Sequence, residues 1–243
     1  MRMFSAAALL LVSALVHTAH AADVPASGRS AEEVARDAGR KPGEMLDFAG
    51  VKPGQVVIDY FPGGGYFTRI FANAVGPQGQ VWAVTPQALL DRFSDRPRPK
   101  PVSSEEGRSN VHESIGAASL NVPVKADVIW TSQNYHDIRI WGGAAATAEL
   151  NKAAFDALKP GGVFVILDHA AMPGSDEATM KKQHRIDEQL VKKEVTAAGF
   201  KLDGESTVLR NPADPRNSGV FDASIRGKTD QFVYKFRKPS TAR

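Results

Sequence analysis

Cysteine is absent from the 243 residues. Its absence excludes disulfides, thiolate metal sites and cysteine nucleophiles, and leaves stability to packing, which a chain of this size can supply. An excess of one charge is also lacking: 30 Lys+Arg stand against 27 Asp+Glu, a net charge of +3. The isoelectric point of about 9.1 alone suggests a nucleic-acid partner, but the basic residues are scattered among acidic ones and form no stripe, so no nucleic-acid surface is expected. Beyond the first residues no run approaches the roughly 20 apolar residues that cross a membrane as a helix, and no stable membrane insertion is expected. No Gly-x-Ser-x-Gly elbow follows any predicted strand, which argues against a Ser-His-Asp hydrolase. There is no internal repeat.

What is present begins with an address. Arg2 precedes an apolar run from Ala6 to Val16 that ends in Ala19-His20-Ala21, the pattern of a signal peptide with a small-residue cleavage site. Cleavage after Ala21 and a periplasmic or secreted protein are expected, with a buried N-terminal helix as the alternative. Removal of residues 1–21 leaves 243 − 21 = 222 residues and takes away Arg2, so 29 Lys+Arg face 27 Asp+Glu. That length suits one α/β domain over residues 22–243.

Apolar positions from Arg29 to Ala49 recur at helical spacing and are interrupted by Lys41-Pro42-Gly43, which predicts two short helices. Gln55 to Tyr60 is a nearly continuous apolar run of the kind buried on both faces of a parallel sheet. Phe67 to Val75 is helical and stops at Gly76-Pro77; Val81 to Val84 is a second strand. Strand, helix, strand is a right-handed crossover. The alternation continues through a weak strand near Asn110 to Glu113, a strand from Asp127 to Thr131, a helix from about Ala144 to Leu158 and a strand from Val163 to Leu167. The expected fold is a doubly wound, Rossmann-like α/β sheet. Asp91 to Arg108, with Pro97, Pro99 and Pro101 among charges, reads as a surface insertion. A long polar helix from about Asp176 to Ala198 comes next. Phe200 to Leu202 with Val208, and Gln231 to Phe236, should pair as an antiparallel hairpin around a loop at 210–229.

The strongest local signal is Val56-Val57-Ile58-Asp59-Tyr60-Phe61-Pro62-Gly63-Gly64-Gly65-Tyr66-Phe67-Thr68, a strand entering glycines and then a helix. Residues without Cβ let backbone approach a ligand, the helix N-terminus offers unpaired N–H groups, and Asp59 can orient the turn or a ligand's charged tail. A tight turn without ligand is the plainer alternative.

At this turn the chain resembles the class I S-adenosylmethionine (SAM)-dependent methyltransferases, in particular an exported bacterial subgroup with the turn Pro62-Gly63-Gly64-Gly65-Tyr66-Phe67-Thr68-Arg69. Further matches are Arg40-Lys41-Pro42, Gly76-Pro77 with Gly79 and Val81, Gln133 to Asp137, Leu158-Lys159-Pro160-Gly161-Gly162 and Ala198-Gly199-Phe200. The resemblance implies a three-layer fold with strand order 3-2-1-4-5-7-6, strand 7 antiparallel, and SAM as cofactor. It places Asp59, Phe61, Gly63, Gly64, Gly65, Thr85 and Ala117 at the cofactor. Three of these depart from the family pattern. Phe61 replaces the first glycine of the turn, Thr85 replaces the acid that holds the ribose, and Ala117 stands where an aspartate meets the adenine. A lost carboxylate contact costs about 1.5–3 kcal/mol.

Ligands of open α/β sheets sit at the carboxyl ends of strands. The candidates there are His136, Asn134, Asp168 and His169. A neutral His136 imidazole would take a proton from an acceptor hydroxyl or amine; a capping or loop histidine is the alternative. Alternation points one of Asp168 and His169 into the cleft, His169 by preference. Asn134 is similar to the asparagine of amino-group methyltransferases, although Tyr135-His136-Asp137 follows in place of Pro-Pro-aromatic. His184 and Arg185 fall on the polar helix with Lys181 and Lys182, as a solvated face or a lid. Zinc held by His136, Asp137, Asp168 and His169 is chemically conceivable, but the spacing matches no helical His-Glu-x-x-His pattern and no metal is expected. Two readings remain: a SAM-dependent methyltransferase acting on a small molecule or exported substrate, or a non-catalytic binding or accessory protein with a degenerate cofactor site. A cleft closed by the Phe61 ring would favour the second, and an open one from Gly63 to Thr85 the first.

Overall fold

The computed structural model describes residues 23–116, 120 and 122–240. The leader at 1–21 and Ala117 lie outside the described residues. Apolar side chains alternate along the central strands and both faces of the sheet are covered, which is why the runs read as continuous. Val57, Val81, Val128, Trp130 and Val165 pack on one face, and Ile58, Val84, Ile129, Phe164 and Ile166 on the other.

The strands are β1 (Val56–Tyr60), β2 (Gln80–Pro86), β3 (Val111–Gly116), β4 (Ala126–Ser132), β5 (Leu158–His169), β6 (Lys201–Ser206) and β7 (Gln231–Arg237). They form one sheet in the order β3-β2-β1-β4-β5-β7-β6. Strands β1 to β5 pair in parallel; β7 is antiparallel to both β5 and β6. The order, the doubly wound α/β class and the C-terminal hairpin are those expected.

Helices α1 (Ala31–Ala35), α2 (Asp37–Arg40) and α3 (Pro42–Ala49) replace the two expected at the start. Ser30 caps α1 by accepting the Glu33 N–H, and Lys41 in left-handed backbone separates α2 from α3. Helix α4 (Tyr66–Val75) packs Phe67 and Phe71 on Trp130, with ring centroids 4.7 and 5.6 Å away. Helix α5 (Gln87–Arg92) follows β2.

Two helix boundaries differ from the sequence reading. Helix α6 starts at Tyr135, not Ala144, and runs to Ala157 through a break at Gly143 (φ 67°, ψ −166°). The long polar helix is two: α7 (Glu177–Gln183) and α8 (Glu188–Ala197). Between them His184 turns left-handed (φ 53°), and Ile186 donates its N–H to the His169 carbonyl at 3.0 Å. The cause is Arg185. Its guanidinium is fully buried, donating to both Asp214 oxygens (2.7 and 3.1 Å) and to the Ala170 and Ser218 carbonyls. A straight helix with a solvated face would leave these bonds unmade. The 210–229 loop that carries Asp214 therefore packs over the α7–α8 junction.

Candidate functional site

Strand β1 delivers the chain to the glycine turn in an unusual conformation. Phe61 has φ 60°, a region L-residues avoid and glycine accepts. A phenylalanine stands where the resemblance leads one to expect glycine, and its backbone is left-handed. The Phe61 N–H donates to the Val84 carbonyl at 2.8 Å and its own carbonyl accepts from Asn134 Nδ2 at 3.0 Å, which holds the strained residue in place. Gln133, just after β4, is likewise left-handed (φ 61°). The strained non-glycine backbone of β1 and β4 thus lies at their carboxyl ends, where a ligand is expected.

The turn opens onto a cleft of about 680 Å³, within the range of small-molecule sites. Phe61, Gly63, Gly64 and Gly65 form one side, Thr85 and Glu113 the sheet edge, and residues 96–102 the far wall. A Cβ built on Gly63 or Gly64 meets no atom within 4 Å, whereas one on Gly65 lies 2.3 Å from Val102 Cγ2. Two glycines therefore face space and the third is needed for contact with the wall. Phe61 lines the cleft and packs on the core below it, and one continuous cleft runs from Gly63 to Thr85.

That wall belongs to the segment 91–108, which is more than a surface insertion. Val102 is buried in a single 3-10 turn (Val102–Ser104) seated on the glycine turn. Glu105 accepts from Arg69 Nε and Nη2 (3.0 and 2.5 Å), and Arg108 reaches Asn73 and the Gly28 carbonyl at 2.6 and 3.0 Å. Gly65→Ala should unseat this wall. With φ at 81° and no room for Cβ, the replacement is expected to cost about 1–3 kcal/mol in urea unfolding and to speed proteolysis within 93–101.

Asp59 does not line the cleft. Its carboxylate is buried under the turn and accepts from Thr68 Oγ1 at 2.6 Å, so it braces α4 from below. Burial raises its pKa to about 7, against the lowering effects of Thr68 and Arg40. Arg40 lies over the rings of Tyr66 and Phe67, with its charge centre 4.6 and 5.2 Å from their centroids, and burial lowers its pKa to about 10.

The histidines assemble across β1, at the ends of β4 and β5. Asp168 is fully buried and accepts from the His136 backbone N–H (2.8 Å) and the His169 N–H (2.7 Å), while its Oδ1 lies 2.7 Å from His136 Nδ1. His136 Nε2 is 3.3 Å from Asp137 Oδ1. Burial alone would lower the His136 pKa, but the two carboxylates override it and raise it to about 10. Those carboxylates favour the protonated ring over the neutral imidazole expected at His136. His169 is the opposite case. Burial lowers it to about 4, and its Nδ1 contacts Thr229 Oγ1 at 2.7 Å.

Asn134, His136, Asp168 and His169 are thus brought together but do not line the cleft. The Asn134–Phe61 hydrogen bond joins the two regions. The four-residue zinc set is not assembled as drawn from sequence, because Asp168 backs His136 and His169 turns to Thr229. His184 faces His136 instead, with ring centroids 5.7 Å apart. Sequence reasoning missed this role of His184, along with Glu113 and the cationic wall residues Arg96, Arg98 and Lys100. An acid on the strand neighbouring Thr85 was the available signal for Glu113; His184 had none, since its position depends on Arg185 finding Asp214.

No protein-family model matches the sequence, and no curated protein is similar to it at the sequence level. Solved structures are similar in fold. A SAM-dependent methyltransferase from Aquifex aeolicus is 18% identical, with a TM-score of 0.54 over 81% of this chain and 89% of that one. A protein assigned as a sarcosine dimethylglycine methyltransferase from Galdieria sulphuraria is 14% identical, with a TM-score of 0.59 over 93% and 96%. The [4+2]-cyclase SpnF is 17% identical, with a TM-score of 0.55 over 83% and 81%. Together with the strand order, these likenesses show that the chain has the Rossmann-like fold of class I methyltransferases.

Proposed function

We propose that the protein is a SAM-dependent methyltransferase acting on a small molecule or exported substrate outside the cytosol. The observation that carries this reading is the open cleft at the carboxyl ends of β1, β2 and β3, with Gly63 and Gly64 leaving the space two side chains would fill. The start of the sequence, Arg2 and its apolar run to Ala19-His20-Ala21, supports export.

The cleft's residues fit the cofactor. Gly63 and Gly64 admit it close to backbone at the start of α4, where unpaired N–H groups favour an anionic end. Glu113, paired with Ala83 in the β2–β3 ladder and lining the cleft beside Thr85, supplies a carboxylate for the ribose hydroxyls that Thr85 lacks. Arg96, Arg98 and Lys100 give the far wall positive charge for a carboxylate. When bound, the cofactor supplies an electrophilic methyl group. The protein's task is to align an acceptor with that carbon and receive any proton lost, which needs positioning more than covalent chemistry. Asn134 positions the turn through Phe61, and His136, Asp168 and His169 lie behind it at the ends of β4 and β5, outside the cleft's lining.

Calorimetric titration with SAM and S-adenosylhomocysteine tests this. Micromolar binding is expected for the wild type. Gly64→Val adds its side chain to open space without a left-handed backbone to strain, so it should weaken binding at least about tenfold while leaving the thermal midpoint unchanged. Glu113→Gln should weaken it by about tenfold, the loss of one charge-assisted pair. No binding to the wild type at millimolar ligand would overturn the reading and leave a binding protein of the same fold.

A further inference from the structure

His136, Asp137 and His184 bring three metal-ligating atoms within 4.8 Å of one another, from two segments of chain. His136 and Asp137 stand in the first turn of α6, and His184 is the left-handed residue that ends α7. We propose that these three side chains form a binding site for a zinc-class divalent ion, separate from the cofactor cleft and independent of the methyltransferase reading.

Distances support it. His136 Nε2 and His184 Nδ1 lie 3.3 and 3.2 Å from Asp137 Oδ1. A tetrahedral ion with bonds of 2.0–2.1 Å has ligand atoms separated by about 3.3 Å, so two of the three edges already have the required length. The ligand set, two imidazoles and one carboxylate, suits a borderline ion such as zinc and is poorly matched to calcium or magnesium, which take oxygen.

The surroundings are those of a built site. Asp168 engages both His136 Nδ1 and the His136 backbone N–H; this fixes the ring and presents Nε2 to Asp137, the carboxylate–histidine arrangement that orients metal-binding imidazoles. His136 is 4% exposed and His184 32%, so an ion enters from the His184 side and lodges between Nε2 and Asp137. Phe221 packs against the His184 ring at 5.2 Å and limits its swing. Three protein ligands leave a fourth position to water or a substrate atom, the pattern of reactive zinc sites. Bound metal would also tie the α7–α8 junction to the start of α6.

The experiment uses the full chain without an affinity tag, stripped with chelator and titrated with zinc against a chromophoric chelator, and separately with cobalt(II) followed by visible absorption. One zinc per chain is expected, with cobalt giving the intense bands of a tetrahedral site. His184→Asn, chosen because asparagine tolerates left-handed backbone, should weaken zinc by at least about 100-fold, and Asp137→Asn by at least about tenfold. His112→Ala, at a histidine stacked on Trp82, should change nothing. Zinc should raise the thermal midpoint of the wild type and not of His184→Asn. Absence of stoichiometric binding, or binding that survives both His184→Asn and Asp137→Asn, would overturn the site.

Discussion

Asp214→Ala is expected to destabilise the protein by about 3–5 kcal/mol, because it leaves the Arg185 guanidinium buried and uncompensated. The carboxylate accepts not only from Arg185 but from the Asp230 and Arg216 N–H groups at 2.6 and 3.0 Å. One deletion therefore orphans a cation and two backbone donors. In a protein of this size a loss of that order lowers the thermal midpoint by roughly 10 °C. Asp214→Asn keeps an acceptor and should lose less. Urea unfolding of the three proteins checks the order; an Asp214→Ala midpoint equal to wild type would mean that the pair contributes nothing.

The second large effect concerns pH. The Asp59 pKa stands at about 7 in the folded protein and near 3.9 in an unfolded chain. Between those values the folded state holds a proton that the unfolded state has released, so stability falls as pH rises through the window and levels off above about 7. Asp59→Asn cannot ionise and its amide oxygen can still accept from Thr68. Relative to wild type the variant should gain stability on the order of a few kcal/mol between pH 4 and pH 8. Denaturant melts of both proteins at the two pH values measure it. A difference that stays constant across the window would mean that Asp59 is charged throughout.

Both predictions touch residues whose environment the sequence shows unevenly. The strands were legible because Val56 to Tyr60 and Val163 to Leu167 carry apolar side chains for two covered faces, and a two-sided sheet leaves an unbroken run. The strand order came from resemblance, since periodicity does not state which strands are neighbours. The start of α6 was hidden by Gly142-Gly143, which reads as a terminator and is in the structure a break inside a helical stretch. The split between α7 and α8 was illegible for another reason: Arg185 looks like one of several surface cations until Asp214, 29 residues later, is seen to receive it. The same non-local dependence concealed His184. Prolines mark out the segment 91–108 in the sequence, but its first two residues close α5, and Val102, which seats it on Gly65, is one apolar residue among charges.

Pro97, Pro99 and Pro101 give that segment a further significance. A wall of ordinary residues would have to be ordered when a ligand arrives, and the lost freedom would subtract from affinity. Three prolines at alternate positions have fixed φ angles before any ligand binds. The cleft is therefore preorganised on its most exposed side, and ligand binding there should carry a small entropic penalty for a pocket closed by a loop.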